Sequence, residues 1–272
     1  MKISGFKTIN PPLIRLASDI DGTLVHDGTH ELNPELCDVI LQLKEKGIQF
    51  AAASGRQWAS IEDLFDPIKE RIFYLSDNGA YVGCHGRNLF LNTIDRGLVI
   101  QLIQEIRKRP ELEVMVSGPD YAYMDTKDEE FADWMINGYK FQVKRVEDLT
   151  KVDDQFIKIS AYKKHGVQEA TESLREQFGD RLKMTISGDM WMDCMAIGVS
   201  KGQAIKILQE SLEIKPEETM VFGDQLNDLE MIRQAYYSFA VANARPEVKA
   251  EARFEADSNM NDGVLKILKL LV

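Results

Sequence analysis

The segment Leu13-Ile14-Arg15-Leu16-Ala17-Ser18-Asp19-Ile20-Asp21-Gly22-Thr23 joins a short, mostly apolar run to two closely spaced carboxylates and a glycine. The apolar run, residues 13–17, is typical of a buried β-strand. Asp19 and Asp21 follow it directly, and ligands of open α/β sheets bind beyond the carboxyl ends of the strands. Asp and Gly also favour ordinary surface turns, but a buried strand immediately before them favours a site. Because the two carboxylates repel each other, we expect a cation or a shared proton beside them.

The chain after this segment alternates between helical and strand-like patterns. The first helix is predicted at residues 33–46, with Asn33 as its cap and Pro34 in its first turn. Further helices are predicted at residues 57–65, 201–212, 228–235 and 262–271, and strands at residues 48–53, 72–75, 219–222 and 238–242. Such alternation predicts a parallel sheet that is covered by helices.

Residues 81–196 interrupt this alternation. They contain hairpin-like pairs of strands mixed with helices, which is typical of a separate α+β domain. Strands are predicted at residues 81–94 (a pair), 112–117, 121–124, 139–146, 155–162, 182–187 and 190–196, and helices at residues 96–108, 128–136 and 166–178. We therefore predict a discontinuous α/β core of residues 1–82 and 195–272, with residues 83–194 inserted as a second domain.

Two further segments place anion-binding groups at predicted strand ends or helix starts. Ser54-Gly55-Arg56 follows the strand at residues 48–53, where a hydroxyl and backbone N–H groups form an anion site, although Ser-Gly often simply ends a strand. Lys201 lies in the first turn of a helix, which is unfavourable for the helix dipole. That penalty is understandable if the ammonium faces a phosphate, while a solvated side chain is the more common explanation of a single lysine.

The segment Gly223-Asp224-Gln225-Leu226-Asn227-Asp228 follows the apolar strand at residues 219–222. Asp224 therefore also lies at the carboxyl end of a strand, and acidic oxygens there suit Mg²⁺, which prefers oxygen ligands and keeps several waters. Asp228 has the alternative role of capping the next helix. Each segment alone is a weak indication, but four such segments in one alternating α/β chain indicate a site for phosphate chemistry.

These four segments resemble those of the haloacid dehalogenase-like (HAD) hydrolases, and among them the Cof-type phosphatases with a type-two, subclass B cap. Asp19-Ile20-Asp21-Gly22-Thr23 is similar to motif one, Ser54 to motif two, Lys201 to motif three, and Gly223-Asp224 with Asp228 to motif four. Ser76-Asp77-Asn78-Gly79-Ala80 is similar to the segment that precedes the cap. The resemblance covers nearly the whole chain after residue 12, and it implies a doubly wound, Rossmann-like parallel-sheet core with an inserted α+β cap domain.

The resemblance also implies a role for each motif residue in a magnesium-dependent phosphatase. Asp19 would be the nucleophile that forms a phospho-aspartate, and Asp21 the general acid and base. The Mg²⁺ ligands would be the carboxylates of Asp19 and Asp224 and the backbone carbonyl of Asp21, with Asp228 in support. The groups expected to bind phosphate are Ser54, Gly55, Lys201 and Asn227. The remaining candidates for substrate contacts are Thr23, Arg56, for which a structural role is equally plausible, and Asn78, which is otherwise a turn residue.

The inserted domain would act as a lid that excludes water and contacts the substrate. No residue in 84–194 identifies that substrate. Trp134, Trp191 and Met192 are candidates for lining the cleft, although such side chains are more often part of a core. Sugar phosphates, nucleotides and phosphorylated cofactors are all compatible with the sequence.

The composition limits the partners and the compartment. With 33 basic and 44 acidic side chains, the net charge of −11 argues against nucleic acid or an anionic membrane as a partner. The three cysteines form no C-x-x-C pair, and the four histidines lack metal-ligand spacing, which argues against a disulfide framework or a zinc site. There is no apolar run of the length of a membrane span, nor a secretory signal. We therefore expect a cytoplasmic protein, by default a monomer; residues 1–12 suggest no role.

Three alternatives to a phosphatase are compatible with parts of this pattern. A phosphomutase with the same core would pass the phosphoryl group to another hydroxyl, and the motifs do not separate the two activities. A phosphate-accepting signalling domain also uses an acceptor Asp, Mg²⁺, a hydroxyl and a Lys, but such domains are much shorter and have no matching insertion. A non-catalytic phosphate-ligand-binding protein is disfavoured because every core catalytic position is filled.

Overall fold

Two β-sheets organise the chain. The computed structural model describes residues 15–26, 29, 31–84, 87–187 and 189–272. The strands are β1 (Arg15–Ser18), β2 (Gln49–Ala53), β3 (Phe73–Ser76), β4 (Tyr81–Cys84), β5 (Arg87–Leu91), β6 (Glu113–Ser117), β7 (Ala122–Met124), β8 (Val143–Arg145), β9 (Lys158–Tyr162), β10 (Leu182–Ser187), β11 (Trp191–Ala196), β12 (Thr219–Gly223), β13 (Tyr237–Val241) and β14 (Phe254–Ala256). The predicted residues 13 and 14 of the first strand, and residues 1–12, lie outside the described part.

The α-helices that pack against these sheets follow the predicted order. They are α1 (Pro34–Glu45), α2 (Trp58–Leu64), α3 (Arg96–Ile106), α4 (Glu129–Asp133), α5 (Gln168–Phe178), α6 (Lys201–Ser211), α7 (Leu229–Arg233), α8 (Pro246–Glu251) and α9 (Gly263–Leu268). The predicted cap of α1 is present, because the Asn33 side chain accepts a hydrogen bond from the Glu35 N–H. Among the described helices, none is long and apolar enough to cross a membrane.

The larger sheet forms the core and positions the site. Its eight strands have the order β14-β13-β12-β1-β2-β3-β4-β5, and all pairs from β14 to β3 are parallel. From β1 the chain moves outward through β2 and β3, whereas from β12 it moves in the opposite direction through β13 and β14. The neighbours β1 and β12 therefore flank the point where the strand order reverses, which is where ligands bind in doubly wound sheets. All four residues of β1 are buried.

The smaller sheet belongs to the insertion and has the order β10-β11-β9-β6-β7-β8. Because strand side chains alternate between faces, Ile159 and Ala161 of β9 and Cys194 of β11 pack into one apolar cluster with α3 and α5. Met192 is part of the same cluster, so it is a core residue. The alternate residues of β9 and β11 face the larger sheet, and we call this inserted domain the cap.

The elements differ from the sequence prediction in three places. Strand β5 lies in the eight-stranded sheet, so that sheet continues past residue 82, where the core segment was predicted to end. The predicted strand at residues 139–146 is limited to β8, because a π-helix spans Trp134–Gly138 and Lys140 has a φ of 58° that interrupts extended backbone. Helix α8 and strand β14 were not predicted. Helix α8 has six residues and strand β14 has three, and elements this short show little periodicity in the sequence.

Candidate active site

The carboxylate of Asp19 lies at the carboxyl end of β1. Its backbone N–H donates to the Phe222 carbonyl oxygen at 3.0 Å, which extends the pairing of β1 with β12 by one residue. This contact fixes the backbone of Asp19 beside the segment that begins at Gly223. The side chain is buried and one oxygen, Oδ1, is 2.5 Å from Nζ of Lys201.

Lys201 is a buried counter-ion, not a solvated side chain. It begins α6, where the Ser200 hydroxyl accepts from the Gln203 N–H at 3.0 Å and caps the helix. The Lys201 ammonium contacts Asp228 Oδ1 at 2.7 Å as well as Asp19. Burial alone would lower the pKa of Lys201, but the two carboxylates outweigh burial and hold that pKa above its ordinary value.

Asp228 joins the ammonium to the motif-four segment. Its Oδ2 accepts hydrogen bonds from the backbone N–H groups of Asp224 and Gln225, each at 2.9 Å. These bonds fold residues 224–228 into a tight loop with Asp228 fully buried. Asp228 therefore fixes the backbone of Asp224 and the position of the Lys201 ammonium at the same time.

Three carboxylates form a cluster that suits a divalent cation. Asp19, Asp224 and Asp228 each offer an oxygen, and these oxygens lie within 4.8 Å of one another. Burial, followed by the charge of Asp228, raises the pKa of Asp19 well above its ordinary value and that of Asp224 to about 7. With Lys201 as the counter-charge, the cluster has an excess of two negative charges when it is ionised. All-oxygen donors with this excess fit Mg²⁺.

This charge excess predicts how the stability of the metal-free protein depends on pH. Because Asp19 and Asp224 have higher pKa values in the folded protein, the folded protein binds more protons, and the free energy of unfolding falls as pH rises. For Asp224 the window runs from 3.8 to about 7. We expect urea unfolding in EDTA to show a loss on the order of a few kcal/mol across this window. Millimolar Mg²⁺ at pH 7.5 should restore much of it.

Asp224→Asn is the matched control for this pH dependence. The variant has one less carboxyl group to titrate, so its free energy of unfolding should fall less steeply between pH 4 and pH 7. The charge cluster would be contradicted if the free energy of unfolding fell equally steeply with pH in the variant and in the original protein. It would also be contradicted if the metal-free protein gained stability as pH rises.

Arg56 holds the second motif-one carboxylate. Its guanidinium donates to both oxygens of Asp21, Nε to Oδ2 at 2.9 Å and Nη2 to Oδ1 at 2.6 Å, and also to the Thr29 carbonyl oxygen. The guanidinium lies 5.2 Å from the ring centroid of Tyr139 in the cap. The Asp21 side chain is thus outside the three-carboxylate cluster, and Arg56 is buried between the acid and the lid.

The Ser54 loop, residues 54–56, lies at the end of β2. The Ser54 hydroxyl accepts from the Arg56 N–H at 3.0 Å, and the Ser54 carbonyl accepts from the Asn78 N–H at 2.9 Å. Gly55 lies against the loop partners of the cap, because a Cβ there would be in ordinary van der Waals contact with the Asn78 amide at 3.4 Å and with Asp193 at 3.6 Å. Ser54 and Gly55 both line the cleft.

The remaining sequence candidates take positions beside the cleft. The Thr23 hydroxyl donates to Asp224 Oδ1 at 2.8 Å; Thr23 is buried and absent from the cavity wall, so it orients Asp224. Asn78 is also outside the wall and donates to Asp193 Oδ2 at 2.9 Å. Asn227 lines the cavity and donates to Asn78 Oδ1 at 2.9 Å.

A cavity of about 220 Å³ separates these core residues from the cap. Its cap side is formed by thioether and aromatic side chains together with five polar ones, four of which lie on strands. They are Met115, Met135, Met190, Tyr139, Phe141 and Trp191, with Lys158, Ser160, Ser187 and Asp193 on strands and Asp189 after β10. Of the aromatic candidates in the sequence, Trp191 lines the cavity, whereas Trp134 packs behind it.

The polar cap residues were not predicted from the sequence. A signal for them does exist, since Lys158, Ser160 and Asp193 interrupt strands whose alternate residues are apolar. One face of each strand is apolar and belongs to the cap core, while the opposite face carries polar residues at every second position. Buried polar residues in this pattern indicate that the opposite face lines a site. The pattern gives no indication of what that face packs against.

Comparison with known proteins places this geometry in a family. A family profile described as haloacid dehalogenase-like hydrolase matches residues 16–268. An Escherichia coli (strain K12) protein, 5-amino-6-(5-phospho-D-ribitylamino)uracil phosphatase YbjI, is 29% identical over 254 residues, which cover 93% of this chain and 94% of that protein.

Solved structures share the whole architecture. A crystal structure from Eubacterium rectale has a TM-score of 0.85 and 33% identity, and the match covers 96% of this chain and 99% of that one. The HAD subclass IIB sugar phosphatase BT4131 has a TM-score of 0.82 at 24% identity, over 94% of this chain and 98% of that one. The second likeness concerns the fold alone, including the cap.

Proposed function

Because the chain belongs to the haloacid dehalogenase-like hydrolase family and resembles a named phosphatase along nearly its whole length, we propose that it hydrolyses a small phosphorylated metabolite through a magnesium-assisted phospho-aspartate. The observation that supports this mechanism most strongly is the buried contact of Lys201 with both Asp19 and Asp228 at the end of β1. In this proposal Asp19 is the nucleophile, and the contact holds it next to an ammonium group at the edge of the cavity under the cap. Catalytic roles for the motif residues follow from their positions.

The first half of the reaction transfers the phosphoryl group to Asp19. A carboxylate oxygen of Asp19 attacks phosphorus, and the bond from phosphorus to the leaving oxygen breaks. The Lys201 ammonium, the Ser54 hydroxyl and the backbone at Gly55 stabilise the phosphoryl oxygens. Asp21 donates the proton that the leaving alcohol needs. Since both Asp21 oxygens accept from Arg56, this step requires that substrate binding releases one Arg56 contact and that Asp21 takes up a proton from solvent on the freed oxygen.

The second half hydrolyses the phospho-aspartate. Asp21, now ionised, accepts a proton from water as the water oxygen attacks phosphorus. The bond between phosphorus and the Asp19 oxygen then breaks, which regenerates the carboxylate and releases inorganic phosphate. Arg56 holds Asp21 between the two proton transfers, because its contact with Tyr139 ties it to the closed cap.

The acidic cluster provides the residues for the metal. Asp19 and Asp224 would hold Mg²⁺ with their carboxylates and Asp21 with its backbone carbonyl. Asp228, whose two oxygens already accept from Lys201 and two backbone N–H groups, would support it from behind. When bound, Mg²⁺ supplies the positive charge that lets an anionic carboxylate approach an anionic phosphate.

The cavity under the cap suits a flat organic group. Aromatic rings and thioethers bind planar rings by stacking and dispersion, and Trp191, Tyr139 and three methionines line the cap side. The E. coli relative is named for a phosphorylated ribitylaminouracil, whose ring and polyol match this wall and its polar residues. We propose that compound as the first substrate to test among sugar phosphates, nucleotides and phosphorylated cofactors.

The proposed activity predicts phosphate release from a panel of these compounds and from p-nitrophenyl phosphate. We expect multiple turnovers with Mg²⁺ and a decrease of at least about 100-fold in EDTA, because the carboxylates then repel the substrate. Malachite green detection of phosphate measures this directly. Ribitylaminouracil phosphate should have a higher kcat/KM than p-nitrophenyl phosphate.

Other outcomes of this assay distinguish the alternatives. Transfer to a second hydroxyl that depends on a bisphosphate activator, without net phosphate release, would indicate a phosphomutase. Metal-independent release would contradict the assignment of the acidic cluster.

We further propose a cytoplasmic monomer. The three cysteines are free, and two of them are buried, as expected in a reducing compartment.

A further inference from the structure

The loop of residues 77–79, between β3 and β4, has an unusual backbone. Its three φ angles are 49° at Asp77, 56° at Asn78 and 91° at Gly79. Left-handed backbone is unfavourable for a non-glycine residue, and it persists only where the surroundings hold it in place. Two such residues in succession therefore require strong external contacts.

The 77–79 loop contacts every segment to which phosphate binding is assigned. The Asp77 and Asn78 N–H groups donate to the carbonyl oxygens of Arg56 and Ser54, each at 2.9 Å. The Asn78 side chain accepts from Asn227. A Cβ on Gly79 would lie 2.5 Å from the carbonyl oxygen of Ser200, which shows how closely the loop approaches the start of α6 and Lys201.

Two cap residues hold this loop from the opposite side. Lys158 of β9 pairs with Asp77 Oδ1 at 2.8 Å and donates to the Gly55 carbonyl oxygen at 2.5 Å. Asp193 of β11 accepts from the Asn78 amide at 2.9 Å and is itself oriented by the Ser160 hydroxyl at 2.6 Å. The Lys158 and Asp77 side chains are 2% and 0% exposed, so this pair is isolated from solvent.

The mechanism above uses neither Lys158 nor Asp193. A second ion pair across the same domain boundary, Lys183 with Glu230 at 2.5 Å, is partly exposed. Glu230 packs against Gly202 at the start of α6, but neither side chain of this pair hydrogen-bonds to the Ser54 loop or the 77–79 loop, whose residues are all described. If the cap only needed attachment, surface pairs of this second kind would suffice. The buried position of Lys158 and its bond to the Ser54 loop indicate a different task.

We propose that Lys158 and Asp193 are positioning residues, through which cap closure sets the 77–79 loop and thereby the Ser54 loop and Asn227 in their phosphate-binding geometry. This inference rests on the proposed function in that it takes phosphate as the ligand of the site. Closure of the cap and phosphate binding are then coupled. When the cap opens, the contacts of Lys158 and Asp193 with the 77–79 loop are lost, and the left-handed loop has no support from the cap.

The experiment measures binding of inorganic phosphate in Mg²⁺ by isothermal titration calorimetry, together with kcat and KM for p-nitrophenyl phosphate. We expect Lys158→Met and Asp193→Ala to weaken phosphate binding at least tenfold. Lys183→Met, which removes a cap–core ion pair that has no hydrogen bond to the Ser54 loop or the 77–79 loop, should change phosphate affinity less than twofold. Circular dichroism checks that each variant is folded. If Lys158→Met does not fold, Asp193→Ala alone tests the inference.

A double variant tests the route through Asn78. Asn78→Gly keeps the left-handed backbone accessible and removes the amide that bonds Asp193. Asn78→Gly removes the contacts of this side chain with both Asp193 and Asn227. If Asp193 acts through Asn78, the variant with Asn78→Gly and Asp193→Ala should therefore lose no more phosphate affinity than Asn78→Gly alone. Additive losses would overturn the proposed route.

The outcomes separate this inference from the proposed function. Phosphate binding without turnover in the original protein, with weakening in Lys158→Met and Asp193→Ala, would support the inference and refute the phosphatase mechanism. Normal phosphate affinity in both variants would overturn the inference even if turnover is observed. Equal weakening in Lys183→Met would also overturn it, because attachment of the cap alone would then explain the effect.

Discussion

Replacing Asp19 with asparagine is expected to lower kcat by at least about 10⁴-fold, an effect typical of removing a covalent nucleophile. The amide cannot form the acyl phosphate, although it has nearly the shape of the carboxylate. Substrate binding should persist, since Lys201 and the Ser54 loop remain. Single-turnover assays with ³²P-labelled substrate should also show labelled protein for the original chain and none for the variant.

The same substitution should leave the fold intact. Lys201 keeps its contact with Asp228 at 2.7 Å, and one of three mutually repelling carboxylates is removed. We therefore expect a metal-free stability equal to or above that of the original protein. Asp38→Asn, the same chemical change at an exposed position of α1, should keep full activity. Near-normal turnover in Asp19→Asn would refute the covalent mechanism.

Replacing Lys201 with methionine should have the largest effect on stability. The change leaves Asp19 and Asp228 buried without their counter-charge, and loss of one member of a buried ion pair typically costs about 3–5 kcal/mol. Urea unfolding at pH 7.5 in EDTA measures this loss. Acidic pH should reduce it, because protonated carboxyls need no counter-ion. Turnover should fall by at least about 100-fold even with Mg²⁺, because the phosphoryl oxygens lose a cation.

Lys206→Met on the same helix is the matched control. Lys206 is about half exposed and lies 3.9 Å from Glu210 across one helical turn. Such surface pairs contribute about 0.5 kcal/mol or less, so stability and turnover should hardly change. If Lys201→Met were as stable as Lys206→Met at pH 7.5, the buried charge balance described for this site would be wrong.

The core motifs were predictable because their signals are local. An apolar run followed by Asp19 and Asp21 already places two carboxylates at a strand end, and the same reasoning applies to Asp224. The parallel sheet followed from the alternation of helices and strands, and the family resemblance is confirmed by the match over residues 16–268. The assignments of nucleophile, acid and metal ligands stay predictions until the variants are measured.

Contacts between residues that are far apart in the sequence could not be predicted from local sequence patterns. The contact of Arg56 with Asp21 joins residues that are 35 positions apart, and that of Asn78 with Asp193 joins residues 115 apart. Sequence periodicity shows that one face of β9 is polar, but not that Lys158 meets Asp77. The alternation in β5 likewise indicates a hairpin without showing which sheet the hairpin joins.

The position of β1 between β12 and β2 determines when the core sheet can be completed during synthesis on the ribosome. The first strand of the core to be synthesised gains one of its two neighbours only after about 200 further residues have left the exit tunnel. At typical rates of about 5–20 residues per second, β1 waits on the order of ten seconds or longer with one edge unpaired. The cap, whose strands are contiguous in sequence, completes its own sheet during that interval. We therefore expect nascent chains to carry a completed cap sheet beside an unfinished core sheet, with one edge of β1 open to non-native strand pairing during that interval.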